Sequence, residues 1–208
     1  SSSNQPRECL QLVKRMKFKS EEPAIPEAFA KPKDDRLVIY DVEVYPNLFV
    51  VCWKYQGDTE VVRMINPSPT EIEVLLGYKL VGFYNRRYDN HILYAAYMGY
   101  NNEQLFTLSQ KIVSGSVGSM FGEAYSLSYA DIWDLSSKKQ SLKKFQIELG
   151  LPHVEMDIPW DEPVPEEMIP VIVEYCVNDV NTTDEVLTDR WQDFVARQIL
   201  ADLSGLRS

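Results

Sequence analysis

Apolar and polar residues divide this chain into stretches of two different periods. Leu37-Val38-Ile39-Tyr40 is a short apolar run of β-type residues, which predicts a strand covered on both faces. Leu48–Tyr55 and Val61–Ile65 follow, with the turn signals Pro46-Asn47 and Gly57-Asp58 between the segments, so an antiparallel three-strand meander is expected. The period then changes. Thr70 is expected to cap a helix reaching Leu76, Leu80–Phe83 predicts a strand, and Asp89–Tyr100 places Ile92, Leu93, Ala96 and Tyr97 on one helical side. Ser126–Ile132 predicts a fifth strand, and Leu142–Leu149 a helix stopped by Gly150 and Pro152. Glu166–Leu187 predicts a helical region despite Pro170, and a last helical pattern runs over Asp184–Leu203. Ser114–Gly122, with three glycines, and Pro159–Pro165 read as loops. Strands first and then alternating strands and helices predict an α/β domain.

Charge separates the start of the chain from the rest. Ser1–Ser20 sets Arg7, Lys14, Arg15, Lys17 and Lys19 against Glu8 alone, a net +4, whereas the 208-residue chain as a whole is at −10. Leu10, Val13, Met16 and Phe18 predict a short basic helix there, and Glu21–Lys33, with three prolines, reads as linker. The expected organisation is therefore an extension over 1–33, a folded domain over 34–190 and a terminal helix over 191–208. With 45% hydrophobic and 25% charged residues the chain can bury a core, which excludes wholesale disorder. No apolar run reaches the ~18 residues that span a bilayer, and no secretory signal opens the chain, so a soluble, cytoplasmic protein without a membrane partner is expected. Cys9, Cys52 and Cys176 have neither disulfide nor zinc spacing. The acidity argues at first against a nucleic-acid partner, since phosphates reward Lys and Arg.

Three groups of acids change that picture. Asp41 and Glu43, at i and i+2 at the end of the first predicted strand, leave one face of the sheet. Their repulsion wastes stability unless a divalent cation holds both ionised, although D-x-E by itself also fits a polar strand end. Oxygen-only ligands favour Mg²⁺ or Mn²⁺. Asn85-Arg86-Arg87-Tyr88-Asp89 follows a strand and opens a helix, where Asp89 fits either a site or an ordinary N-cap. Tyr175 and Asp179, at i and i+4, project from one helix face.

In this order, Asp41-Val42-Glu43, Asn85 to Asp89 and Tyr175 to Asp179 resemble the exonuclease motifs D-x-E, N-x-x-Y-D and Y-x-x-x-D. These motifs mark the tyrosine-bearing DEDD subgroup of the DnaQ-like 3′–5′ exonucleases, which have an RNase H-like fold. Asp131-Ile132-Trp133-Asp134 and Ser141-Leu142-Lys143-Lys144-Phe145 look like the strand and helix inserted before the last motif. The likeness covers roughly Asp34 to Arg190 and leans toward proofreading domains of phage DNA polymerases, family B in particular. It implies a mixed five-stranded sheet, three antiparallel strands and two parallel, with helices on both faces. It also implies two divalent metal ions, Mg²⁺ or Mn²⁺, one held by Asp41, Glu43 and Asp179 and the second by Asp41 with Asp89. Tyr175 would orient the attacking water, Asn85 and Tyr88 would contact a single-stranded DNA 3′ end, and Lys143 would touch the scissile phosphate. His91 and His153 are left without a catalytic task, and Lys138, Lys139 and Lys144 read as a solvated basic face. The expected reaction releases nucleoside 5′-monophosphates, in the cytoplasm of a bacterium or phage-infected host, with a polymerase domain expected to follow the apolar last helix. An RNase D-like or oligoribonuclease-like RNase would carry the same acids. A non-catalytic acidic module, such as a DNA mimic or adaptor, would instead disperse them.

Overall fold

A computed structural model describes residues 35–204 apart from 117 and 155. The predicted basic helix and linker of 1–33 therefore lie outside the described residues. Strand β1 (Leu37–Tyr45) pairs antiparallel with β2 (Leu48–Tyr55), which pairs antiparallel with β3 (Val62–Ile65). On its other side β1 pairs parallel with β4 (Lys79–Gly82), and β4 pairs parallel with the two-residue β5 (Ala130–Asp131). The order β3-β2-β1-β4-β5 is consistent with the expected RNase H-like arrangement.

Strand alternation sorts the side chains of β1 onto two cores. Val38, Tyr40 and Val42 pack with α1 (Pro69–Leu76), α2 (Asp89–Tyr97) and α3 (Asn102–Val113) through Ile72, Leu75, Ile92, Leu93, Leu105 and Leu108. Leu37, Ile39 and Tyr45 share the opposite core with Ile172, Val173, Cys176 and Val180 of α6 (Ile169–Asp189). Phe145 of α5 (Leu142–Glu148) and Phe194 of α7 (Trp191–Ser204) close that side. Helices thus cover both faces, and no helix among the described residues is long and apolar enough to cross a membrane.

Several expected boundaries move. β1 continues to Tyr45, because its antiparallel register with β2 runs unbroken to Tyr45↔Leu48, so Asp41 and Glu43 lie within the strand. The first helix is capped by Ser68, not Thr70: Ser68 and Glu71 form a capping box with Pro69 in the first turn. The fifth strand is far shorter than 126–132, since Ala124–Ser126 is a 3₁₀ turn and Asp131 already caps α4 (Ile132–Leu135). α3 was not foreseen; its signal is the capping box of Asn101 with Gln104. Pro170 is harmless in the first turn of α6, where its missing N–H has no helical partner to lose. The last helical pattern breaks at Arg190, which separates α6 from α7.

Candidate metal centre

Because β1 alternates, Asp41 and Glu43 leave the face that α6 covers, on either side of inward Val42. α6 is anchored there by Cys176, whose thiol lies 3.5 Å from the Asp41 carbonyl and 3.6 Å from Asp41 Oδ2. Asp179 is three residues further along the helix, so the same packing delivers its carboxylate. Oxygens of Asp41, Glu43 and Asp179 all lie within 4.8 Å of one another.

Asp89 enters from the other side of the sheet, as the first residue of α2, and is 5% exposed. It is delivered by the turn after β4, where Tyr84 takes a left-handed conformation at φ 58°. Gly82 is needed for that turn: a Cβ there would stand 2.8 Å from Asn85 Cβ. Asp131, fully buried, accepts hydrogen bonds from the N–H groups of Tyr84 (2.9 Å), Arg86 (3.2 Å) and Trp133 (2.9 Å), and so ties the turn to α4.

No Lys or Arg among the described residues pairs with Asp41, Glu43, Asp89 or Asp179. Two like charges near 4.8 Å repel by roughly 3 kcal/mol at an effective dielectric of about 20. Burial, then Asp179, Asp89 and Glu43, pushes Asp41 well above the usual carboxylate range. Burial, then Asp179 and Asp89, does the same to Glu43, and burial with Asp131 and Asp179 to Asp89. Asp179 is pushed up to about 7 by burial, against a hydrogen bond shared with Asp41. A donor set of carboxylate oxygens alone, close and uncompensated, fits a hard divalent cation such as Mg²⁺ or Mn²⁺.

No protein-family model, curated protein or solved structure matches this chain.

Around the acids, Tyr175 is half-buried on α6, its phenol raised to about 12 by burial and by Asp179, Glu43 and Asp41, so it stays protonated at neutral pH. Lys143, exposed on α5, lines a small recess with Tyr175 and Asp179. Tyr88 lines a cleft of about 920 Å³ with Asp41, Glu43 and Asp89, and its hydroxyl meets Ser109 Oγ at 2.6 Å. Asn85 departs from expectation. It is fully buried and donates to Asn90 Oδ1 (3.0 Å) and the Ala130 carbonyl (3.4 Å), a network that also holds Tyr40 and Ser128. A side chain with no accessible surface braces the turn and does not reach a substrate.

Both histidines make local hydrogen bonds. His91 Nε2 donates to the Arg86 carbonyl at 2.7 Å and Nδ1 accepts from Phe121 N–H at 3.1 Å, with burial holding its pKa down. His153 Nδ1 meets Gln146 Oε1 at 3.1 Å. Lys139 is not merely solvated, since its ammonium donates to the carbonyls of Trp133 and Asp134 at the end of α4. Cys52 and Cys176 are buried free thiols, and Cys9 lies outside the described residues.

Proposed function

We propose that this protein is a metal-dependent 3′–5′ exonuclease of the proofreading type, acting on a single-stranded DNA 3′ end. The observation that supports it most is the convergence of Asp41, Glu43 and Asp179 within 4.8 Å, beside Asp89 and a neutral Tyr175, with no Lys or Arg among the described residues paired to them.

Asp41, Glu43 and Asp179 would hold one divalent cation, and Asp41 with Asp89 would help hold a second. Mg²⁺ or Mn²⁺ bound there supplies Lewis acidity for hydrolysis of a phosphodiester. Tyr175 keeps its proton and orients the attacking water by a hydrogen bond; a phenol raised to about 12 is a poor base but a steady donor. Lys143, at the rim beside Tyr175 and Asp179, offers its ammonium to a phosphate oxygen. Tyr88 lines the cleft and offers an aromatic surface to a sugar or base. The net charge of −10 ceases to be an objection, because the acids that meet the ligand do so through cations.

The test is digestion of a 5′-labelled single-stranded DNA oligomer with Mg²⁺ or Mn²⁺, run beside an RNA oligomer of the same sequence. The expected result is a ladder shortening from the 3′ end, with nucleoside 5′-monophosphates released and DNA favoured. Absence of shortening with either metal would sink the proposal, as would equal activity in Asp41→Ala. Preference for RNA would move the substrate class to that of an RNase.

A further inference from the structure

The thiol of Cys176 makes a contact that core packing does not require. Cys176 is fully buried on α6, in the core that also holds Ile39, Cys52 and Val180. Its Sγ lies 3.5 Å from the carbonyl oxygen of Asp41 and 3.6 Å from Oδ2 of the same residue. One S–H therefore reaches both the main chain and the carboxylate of a single residue. The backbone of Asp41 is already fixed in the ladder of β1 with β2, opposite Cys52, so the freedom that remains is rotation of its side chain. A donor shared between carbonyl and carboxylate restrains that rotation.

The kind of donor matters as much as its place. A Lys or Arg here would neutralise the charge that a divalent cation needs, whereas a thiol donates without carrying charge of its own. Burial, then Cys52 and Asp41, push Cys176 well above the usual thiol range, so it keeps its proton at neutral pH. Cys52 offers a comparison within the same core. It is equally buried, but its Sγ is directed to the Val173 carbonyl at 3.9 Å, the backbone of α6 and not a proposed metal ligand. We infer that Cys176 is a positioning residue of the metal centre, whose thiol holds the Asp41 carboxylate in the orientation that a divalent cation takes. The inference rests on the metal site of the exonuclease reading and deepens it, because Asp41 is the ligand proposed to be shared by both cations. A carboxylate held beforehand loses less side-chain freedom when the metal binds, and loss of such an outer partner costs about tenfold or more in metal affinity.

The experiment titrates Mn²⁺ alone into the full 208-residue chain and follows free Mn²⁺ by electron paramagnetic resonance, with urea unfolding of each variant alongside. Cys176→Val keeps the apolar volume and loses the donor; Cys176→Ser keeps a donor and loses the apolar character. Cys176→Val is expected to bind Mn²⁺ about tenfold more weakly than the unaltered protein at a similar urea midpoint. Cys176→Ser is expected to bind Mn²⁺ more tightly than Cys176→Val although its urea midpoint is the lower of the two. Packing alone would rank the two variants in the same order by both measurements. Cys52→Val, the control for a buried thiol, is expected to bind Mn²⁺ as the unaltered protein does. Unchanged Mn²⁺ affinity in Cys176→Val overturns the inference, and so does a Cys176→Ser variant that binds no better than Cys176→Val, or an equal loss in Cys52→Val. Nuclease assays on the same samples keep the two readings apart. Mn²⁺ affinity set by Cys176 without any nuclease activity leaves the positioning role standing and removes the exonuclease reading; nuclease activity with unchanged Mn²⁺ affinity in Cys176→Val does the reverse.

Discussion

Helix α6 holds two aspartates five residues apart whose surroundings differ completely. Asp184 is buried against Lys54, with Nζ to Oδ2 at 2.7 Å and both side chains 7% exposed, and it also accepts the Gly57 N–H at 3.1 Å. Asp179 faces two further carboxylates within 4.8 Å. Near Asp184 the fold itself supplies the counter-charge, so the pair fastens α6 to the end of β2. Near Asp179 it supplies more negative charge. Asp184 meets its cation within the fold, whereas Asp179 meets none among the described residues and fits the proposed cation from solution.

The sharpest way to test that contrast is to remove one member from each side. Asp41→Ala deletes the carboxylate shared by both proposed cations, so turnover of single-stranded DNA should fall to background in a digestion assay, while the fold persists. Detectable processing by Asp41→Ala at the unaltered rate would place the chemistry elsewhere. Tyr175→Phe should act less severely. It removes the hydrogen bond to water and leaves every acid in place, so a residual rate is expected, reduced by roughly 10²–10⁴-fold. If both variants lose activity equally, Tyr175 is doing more than orienting water.

On the other side, Lys54→Met leaves Asp184 buried without its partner. Breaking a buried pair in this way costs about 3–5 kcal/mol, to be read as a lower urea midpoint. Mn²⁺ binding at the acids should survive in the folded fraction, because Lys54 pairs with Asp184 and with none of the four acids. Loss of Mn²⁺ affinity in folded Lys54→Met would join the two regions that the structure separates.

How each region could be read from sequence follows the same division. Asp41 with Glu43 and Tyr175 with Asp179 are local pairs whose shared face follows from strand and helix period alone, whereas the meeting of the two pairs was expected only from the motif likeness. Asn85 was not legible. Its spacing from Asp89 is that of a motif, but only the packing of Gly82 against its Cβ and the bond to the Ala130 carbonyl show that it points inward. Lys54–Asp184 spans 130 positions of sequence and has no local signature. β5 was overextended because Ser126–Ile132 has strand-like composition, whereas the backbone uses Asp131 as a cap after two residues. α3 was missed because its buried stripe, Leu105, Leu108 and Ser109, is short and includes a polar residue.

The smallest expected effect separates the two aspartates by pH. Asp184 has its cation; Asp179 is raised from 3.8 to about 7, chiefly by burial. The folded state therefore holds a proton on Asp179 between about pH 4 and 7 that the unfolded chain has released, and the stability this contributes is full below the unfolded value and lost as pH rises through the folded one. Asp41, Glu43 and Asp89 shift in the same direction. In EDTA, Asp179→Asn should melt higher than the unaltered protein at pH 8, and the gap should close near pH 4. Mn²⁺ should act in the opposite sense. It competes with those protons, so its stabilisation of the unaltered protein should grow from pH 5 to pH 8, reaching about 2.7 kcal/mol at a hundredfold excess over Kd. It should shrink in Asp179→Asn, which keeps the shape but loses the charge. A melting temperature in EDTA that rises with pH for the unaltered protein relative to Asp179→Asn would mean that Asp179 has an unseen partner, and the contrast with Asp184 would collapse.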